Sequence, residues 1–80
     1  MIRVSDLLNT TDMYAYVRIV VMQESLHEIY KGKLGKMPLM TYMQVKDMDV
    51  YVIETASKEE EVDCYITFLN ITVKKVENND

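Results

Sequence analysis

The sequence predicts an α+β fold: a curved, mainly antiparallel four-stranded sheet, able to curl into a partial barrel, with two short helices. Three observations carry that prediction. Met13 to Gly32 divides into two β-rich runs about the polar Gln23-Glu24-Ser25, which reads as a hairpin. Val62 to Val73 is another long alternating run. The helix-like segments, Ser5 to Asn9 and the stretch after Pro38, are each too short for a helix bundle.

In the first element, Ser5 is placed to cap a helix N-terminus, and Asp6 suits the positive end of its dipole. Ile2, Val4, Leu7 and Leu8 supply its apolar contact, and Thr10-Thr11-Asp12 ends it, since short polar side chains favour turns. The first strand places Met13, Ala15, Val17, Ile19 and Val21 on one face, expected to be the core face. Tyr14, Tyr16 and Arg18 fall on the other. Gly32 and Gly35 end the second strand. Pro38 fits the first turn of a helix, and Met37, Met40 and Met43 follow at helical spacing, so core packing under the sheet is expected of them.

A third strand is expected from Val45 to Ala56, its even positions Met48, Val50 and Val52 apolar, its odd ones including Asp47, Asp49, Tyr51 and Ile53, with a bend or bulge near Asp47–Asp49. Ser57 to Glu61 reads as a turn. The last strand, Val62 to Val73, places Val62, Cys64, Ile66 and Phe68 on one face, here taken as core. Tyr65, Thr67, Leu69, Ile71 and Val73 lie on the other, which is too apolar for an ordinary wet surface. Helices, barrel closure or a second chain must cover it. Residues 1–75 form one domain, and the polar tail 76–80 is expected to be mobile.

The chain has 80 residues, and 49% of them are hydrophobic, enough for a small globular core. No apolar run approaches the ~20 residues that span a bilayer, so no membrane association is expected. The N-terminus carries no signal-peptide pattern, and Cys64 is the only cysteine. Both point to a reducing, cytoplasmic setting. A net charge of −4 disfavours nonspecific binding to nucleic acid. Glu59, Glu60, Glu61 and Asp63 form an acidic patch that a basic partner could meet; a solvated turn is the plainer reading.

Catalytic residues are not expected, nor a metal or a cofactor. His27 is the single histidine, and one imidazole does not build a usual metal site. Cys64 alternates with Val62 and Ile66, which reads as a buried, inert thiol rather than a nucleophile paired with His27. Asp47 and Asp49 read as solvated carboxylates. Lys31, Gly32, Lys33, Gly35 and Lys36 could form an anion loop, but the segment lacks the glycine spacing and the Ser or Thr of a phosphate loop.

The Ser5–Leu8 helix, the Val17-Arg18-Ile19 strand and a second strand ending Tyr30-Lys31-Gly32 resemble a group of small, uncharacterised phage- and prophage-type proteins of Firmicutes. The resemblance covers most of residues 2–56; the last strand and the acidic turn are longer here. It implies an α+β fold, a mobile-element origin and the cytoplasm of a host bacterium, and it brings no activity.

The resulting expectation is a non-catalytic protein-interaction module, a phage- or prophage-encoded modulator or inhibitor of a host protein, defence proteins included. The alternative is a small-molecule or nucleotide-binding protein using the lysine–glycine loop. Tyr14, Tyr16, Tyr51 and Tyr65, with Leu69 and Ile71, are the expected interface, either for a partner or for a two-fold dimer.

Overall fold

The computed structural model describes residues 2–75, apart from the side chain of Glu60. The tail, 76–80, lies outside the described residues. Element order is α1 (Val4–Asn9), β1 (Tyr16–Met22), β2 (Leu26–Lys33), a short 3-10 turn (Leu34–Lys36), α2 (Leu39–Val45), β3 (Asp49–Glu61) and β4 (Cys64–Lys74). The fold is α+β, with one four-stranded sheet in the order β2-β1-β4-β3. Two neighbouring pairs are antiparallel, while the central pair, β1 and β4, is parallel. The sheet is open, with β2 and β3 at its edges, and does not close into a barrel.

One buried cluster holds the layers together. Val17, Ile19 and Val21 of β1 stand in register with Leu69, Ile71 and Val73 of β4. Val50 and Met48 join them, with Val4 and Leu8 from α1 and Val45 from α2. The alternation of β1 therefore sets the core face as expected, from Val17 onward. Met13 is exposed, because the strand begins only at Tyr16.

In β4 the phase is the reverse of the expected one. Leu69, Ile71 and Val73 face the helices, with Ile71 and Val73 wholly buried, while Cys64 is exposed. The sequence pattern is nearly degenerate because both faces of β4 are apolar. Register with β1 decides: the face opposite Val17, Ile19 and Val21 is the one that the helices cover.

Register shifts interrupt the ladders at Ile19/Val20 of β1, and at Val50/Val52 and Glu59/Glu61 of β3, and the first of them serves this core. In β2, Ile29 is the extra residue between the pairs Ile19–Tyr30 and Val20–Glu28, so both Ile29 and Tyr30 reach the cluster. In β3 the extra residue is Tyr51, between the pairs of Val50 and Val52, rather than at Asp47–Asp49. Val45 belongs to α2, and the strand starts at Asp49.

The helices dock by backbone bonds as well as side chains. Ser5 lies inside α1 and does not cap it; Arg3 holds the N-cap position without a side-chain bond. The first helical N–H groups are instead satisfied by carbonyls just past α2. Val4 N donates to Met48 O at 2.9 Å, and Ser5 N to Lys46 O at 3.0 Å. At the other end, the hydroxyls of Thr10 and Thr11 both donate to Leu7 O, at 2.9 and 2.7 Å. Ile2 is exposed. In α2 the methionine stripe faces outward: Met40 and Met43 are exposed, and Tyr42, Val45 and the preceding Met37 make the core contacts.

The segment Ser57 to Glu61, expected to be a turn, is the end of β3. It pairs with Cys64–Thr67, through Ser57–Thr67, Lys58–Ile66, Glu59–Tyr65 and Glu61–Cys64. The turn is Val62–Asp63, with Asp63 at φ 62°, a left-handed conformation that Asp tolerates better than most residues. β1 pairs with β4 only from Phe68 onward. The strands before that point leave the sheet as a two-stranded arm, along a molecule 52 Å in its longest dimension.

Candidate functional site

The helices cover one side of the sheet and leave the other open. Alternation puts Tyr16, Arg18 and Val20 of β1 on the other side, beside Phe68, Asn70 and Thr72 of β4, and there Val20 is buried while Tyr16 and Arg18 are half-buried. Tyr16 and Phe68 are register partners, so their rings are neighbours on the two central strands. Lysines approach these rings from the edge. Lys33 Nζ lies 5.9 Å from the Tyr16 centroid, and Lys31 Nζ lies 5.9 Å from that of Phe68. Further along, Lys74 Nζ stands 4.0 Å from the Tyr51 centroid. Each is within the range where a cation is attracted to the ring quadrupole.

Between these groups is a hollow of about 210 Å³, lined by Tyr16, Phe68, Ile66, Lys31 and Lys58 and by the backbone-side residues Val17 and Gly32. Its floor is apolar and its rim cationic. Arg18 is already committed: Nε donates to Glu28 Oε1 at 2.7 Å and Nη1 to Asn70 Oδ1 at 3.2 Å. Among the described residues, no carboxylate pairs with Lys31, Lys33 or Lys74.

In the lysine–glycine segment two backbone N–H groups are spent inside the fold: Leu34 N donates to Ala15 O at 2.9 Å, and Gly35 N to Met13 O at 2.7 Å. Gly35 is needed for that approach, since a Cβ there would meet Met13 O at 3.0 Å. Gly32 has φ 153°, and a Cβ on it would meet Tyr30 Oη at 3.0 Å. The Tyr30 hydroxyl in turn donates to Lys33 O at 2.6 Å. The side chains divide between two hollows. Lys31 borders the first; Lys33 and Lys36, with Gly35, Met13 and Tyr14, border a second of about 180 Å³.

The tyrosines do not gather on one face. Tyr16 is on the open side, and Tyr14 is 75% exposed in the loop before it, its N–H donating to Asp12 Oδ1 at 2.8 Å. Tyr51 sits at the β3 bulge against Lys74. Tyr65 shares the strand face of Leu69 and Ile71 but lies out on the arm, 66% exposed. Leu69 is half-buried against the core and Ile71 is fully buried, so Ile71 belongs to no surface.

The arm concentrates the acidic residues. Glu59, Glu61 and Asp63 are all exposed around its tip, and Glu59 Oε1 accepts the Asp63 N–H at 3.3 Å. Val62, at the turn, is 86% exposed. Cys64 is at this end of β4, while His27 pairs with Val21, itself opposite Val73 at the far end. At ~3.3 Å per residue the two lie roughly 30 Å apart along the strand direction, so they form no catalytic pair. Ser25 Oγ is the near neighbour of His27, at 3.3 Å from Nε2. Among the described residues, no three His, Cys, Asp or Glu side chains gather as a metal site.

The residues that sequence reasoning missed are Phe68, Ile66 and Lys58, assigned to core or turn, and Lys74. A regular hairpin would have set Gly32, not a lysine, opposite Tyr16. The Ile29 bulge shifts the pairing by one residue, so the partner is Lys33 rather than Gly32. No family model, curated protein or solved structure matches the chain. No helix among the described residues is long and apolar enough to cross a membrane.

Proposed function

We propose that the protein is a non-catalytic interaction module that docks through the β3–β4 arm onto a basic partner protein. The observation that carries this reading is the exposure of Val62 and Tyr65 on a ribbon that the rest of the fold leaves uncovered. A two-stranded ribbon is marginal on its own in water, and exposed apolar groups at its end favour a partner surface. Among the described residues, no strand lies beside the edge of Cys64–Thr67 that faces away from β3, which suits strand addition by the partner. Glu59, Glu61 and Asp63 around the tip give the charge complement to a basic surface. A phage- or prophage-borne modulator of a host protein would use the arm in this way.

Cys64 makes the test direct, because a photocrosslinker can be placed at this single exposed thiol. Irradiation in a bacterial lysate should give one discrete adduct with a basic protein. Val62→Asp and Tyr65→Asp should remove it while leaving the circular dichroism spectrum unchanged. An adduct that persists in both variants, or one at twice the mass of this chain, would contradict the proposal; the latter would replace the partner with self-association.

A further inference from the structure

We infer that the open face of the sheet is a binding track for single-stranded nucleic acid, running from the first hollow past Tyr16 to the second. The track starts at the base of the arm, where Lys58 and Ile66 line the first hollow, and it does not use the exposed tip at Val62 and Tyr65. Single strands are held by cations that follow the phosphates and by aromatic rings on which bases stack. Both are present, and they are continuous. Phe68 and Tyr16 are adjacent rings on the central strands, and Tyr14 follows at the edge of the second hollow. Lys58, Lys31, Lys33 and Lys36 border the same path in that order, with Lys33 joining the two hollows: it stands over Tyr16 and lines the second.

The net charge of −4 does not oppose this, because the charge is segregated. The exposed carboxylates Glu59, Glu61 and Asp63 are out on the arm. Nearer the track, Glu28 is paired with Arg18, while Asp12 accepts the Tyr14 amide and keeps its charge. Glu54, opposite Asn70, borders the face on the β3 side and confines the track to the β1–β2 side. At 5.9 Å the Lys31 and Lys33 ammonium groups contact their rings loosely. A base can take the ring face while the lysine turns to a phosphate.

The occupant is a strand rather than a lone nucleotide for two reasons. The rings stand side by side, one per strand, at the ~4.8 Å sheet spacing, so they offer successive platforms and no enclosing slot. The lysines are also strung along two hollows rather than converging on one point. The N–H cradle that would grip a single phosphate is absent, because the Leu34 and Gly35 amides are bonded to Ala15 and Met13.

Fluorescence anisotropy with labelled single-stranded DNA and RNA of about eight nucleotides tests the inference. Saturable binding is expected at low ionic strength, weakening as salt rises. Lys33→Gln should lower the magnitude of the log–log salt slope by about 0.7, the share of one phosphate contact on a single strand. Tyr16→Leu, which keeps an apolar side chain at a half-buried site, should weaken binding about tenfold. Lys46→Gln, at the end of α2 on the covered side, should leave affinity unchanged. Circular dichroism of each variant should match that of the wild type. No binding at low ionic strength would overturn the inference. So would binding that is indifferent to Tyr16→Leu and matched by heparin, which would mark a generic polyanion surface. A mononucleotide that binds as tightly as the strand would replace the polymer with a small ligand.

Discussion

Individual side chains report the phase of the sheet. Cys64 is exposed on the arm, so its thiol should react with a disulfide reagent in the native state nearly as fast as in denaturant. A much slower native rate would return it to the core. Cys64→Ser should change stability by no more than about 0.5 kcal/mol, rather than the ~1–3 kcal/mol that a buried hydroxyl without a partner would cost. Gly32 is the opposite case. Its φ of 153° strains any L side chain, and a methyl group would also press the Tyr30 hydroxyl at 3.0 Å. Gly32→Ala should cost about 1–3 kcal/mol in denaturant unfolding, and a neutral substitution would show that the backbone there relaxes freely. The alternation of β1 made Val17, Ile19 and Val21 legible as core. Cys64 was not legible, because Ile66 and Phe68 on its side of β4 are as apolar as Leu69 and Ile71 on the other. A single-strand pattern holds no information about which side the helices take.

At the level of elements, the start of α1 depends on α2. The Val4 and Ser5 amides find carbonyls at Met48 and Lys46, so the Ser5 hydroxyl has no capping task. Ser5→Ala should therefore shift stability by under about 0.5 kcal/mol; a loss of about 1 kcal/mol in a chemical melt would restore the capping role. The helix itself was readable from Val4, Leu7 and Leu8, but its capping partners come from a segment more than forty residues on, which no local motif encodes. The arm was hidden for a related reason. Lys58, Glu59 and Glu61 have poor strand propensity and read as a turn, yet each has a cross-strand partner in Cys64, Tyr65 or Ile66. The methionine stripe of α2 shows the same limit. Its spacing was helical, but Tyr42 and Val45, not Met40 and Met43, occupy the side that meets the sheet.

For the whole molecule, the four-stranded sheet has two unlike sides and a projecting arm. Folding energy comes from the helix-covered side, where Val17, Ile19, Ile71 and Val73 are fully buried. The open side and the arm contribute less to the core and carry the groups available for binding. Ile71→Ala should cost about 2–5 kcal/mol, a large share of what a domain of this size can hold, whereas Tyr65→Asp should leave the thermal melt nearly unchanged. The α+β class and the strand count were legible from alternation and length. The parallel β1–β4 pairing was not, because it joins segments at opposite ends of the chain, and the split of the expected tyrosine cluster follows from it. The division into a core half and a free half is tested most directly by native-state amide hydrogen exchange along β4. Amides of residues 69–73 should exchange only through global unfolding, while those of 64–67, including the ones bonded to β3, should exchange through local opening at least about tenfold faster. Uniform protection from Cys64 to Val73 would contradict the account, since the arm would then be an integral part of the folded core.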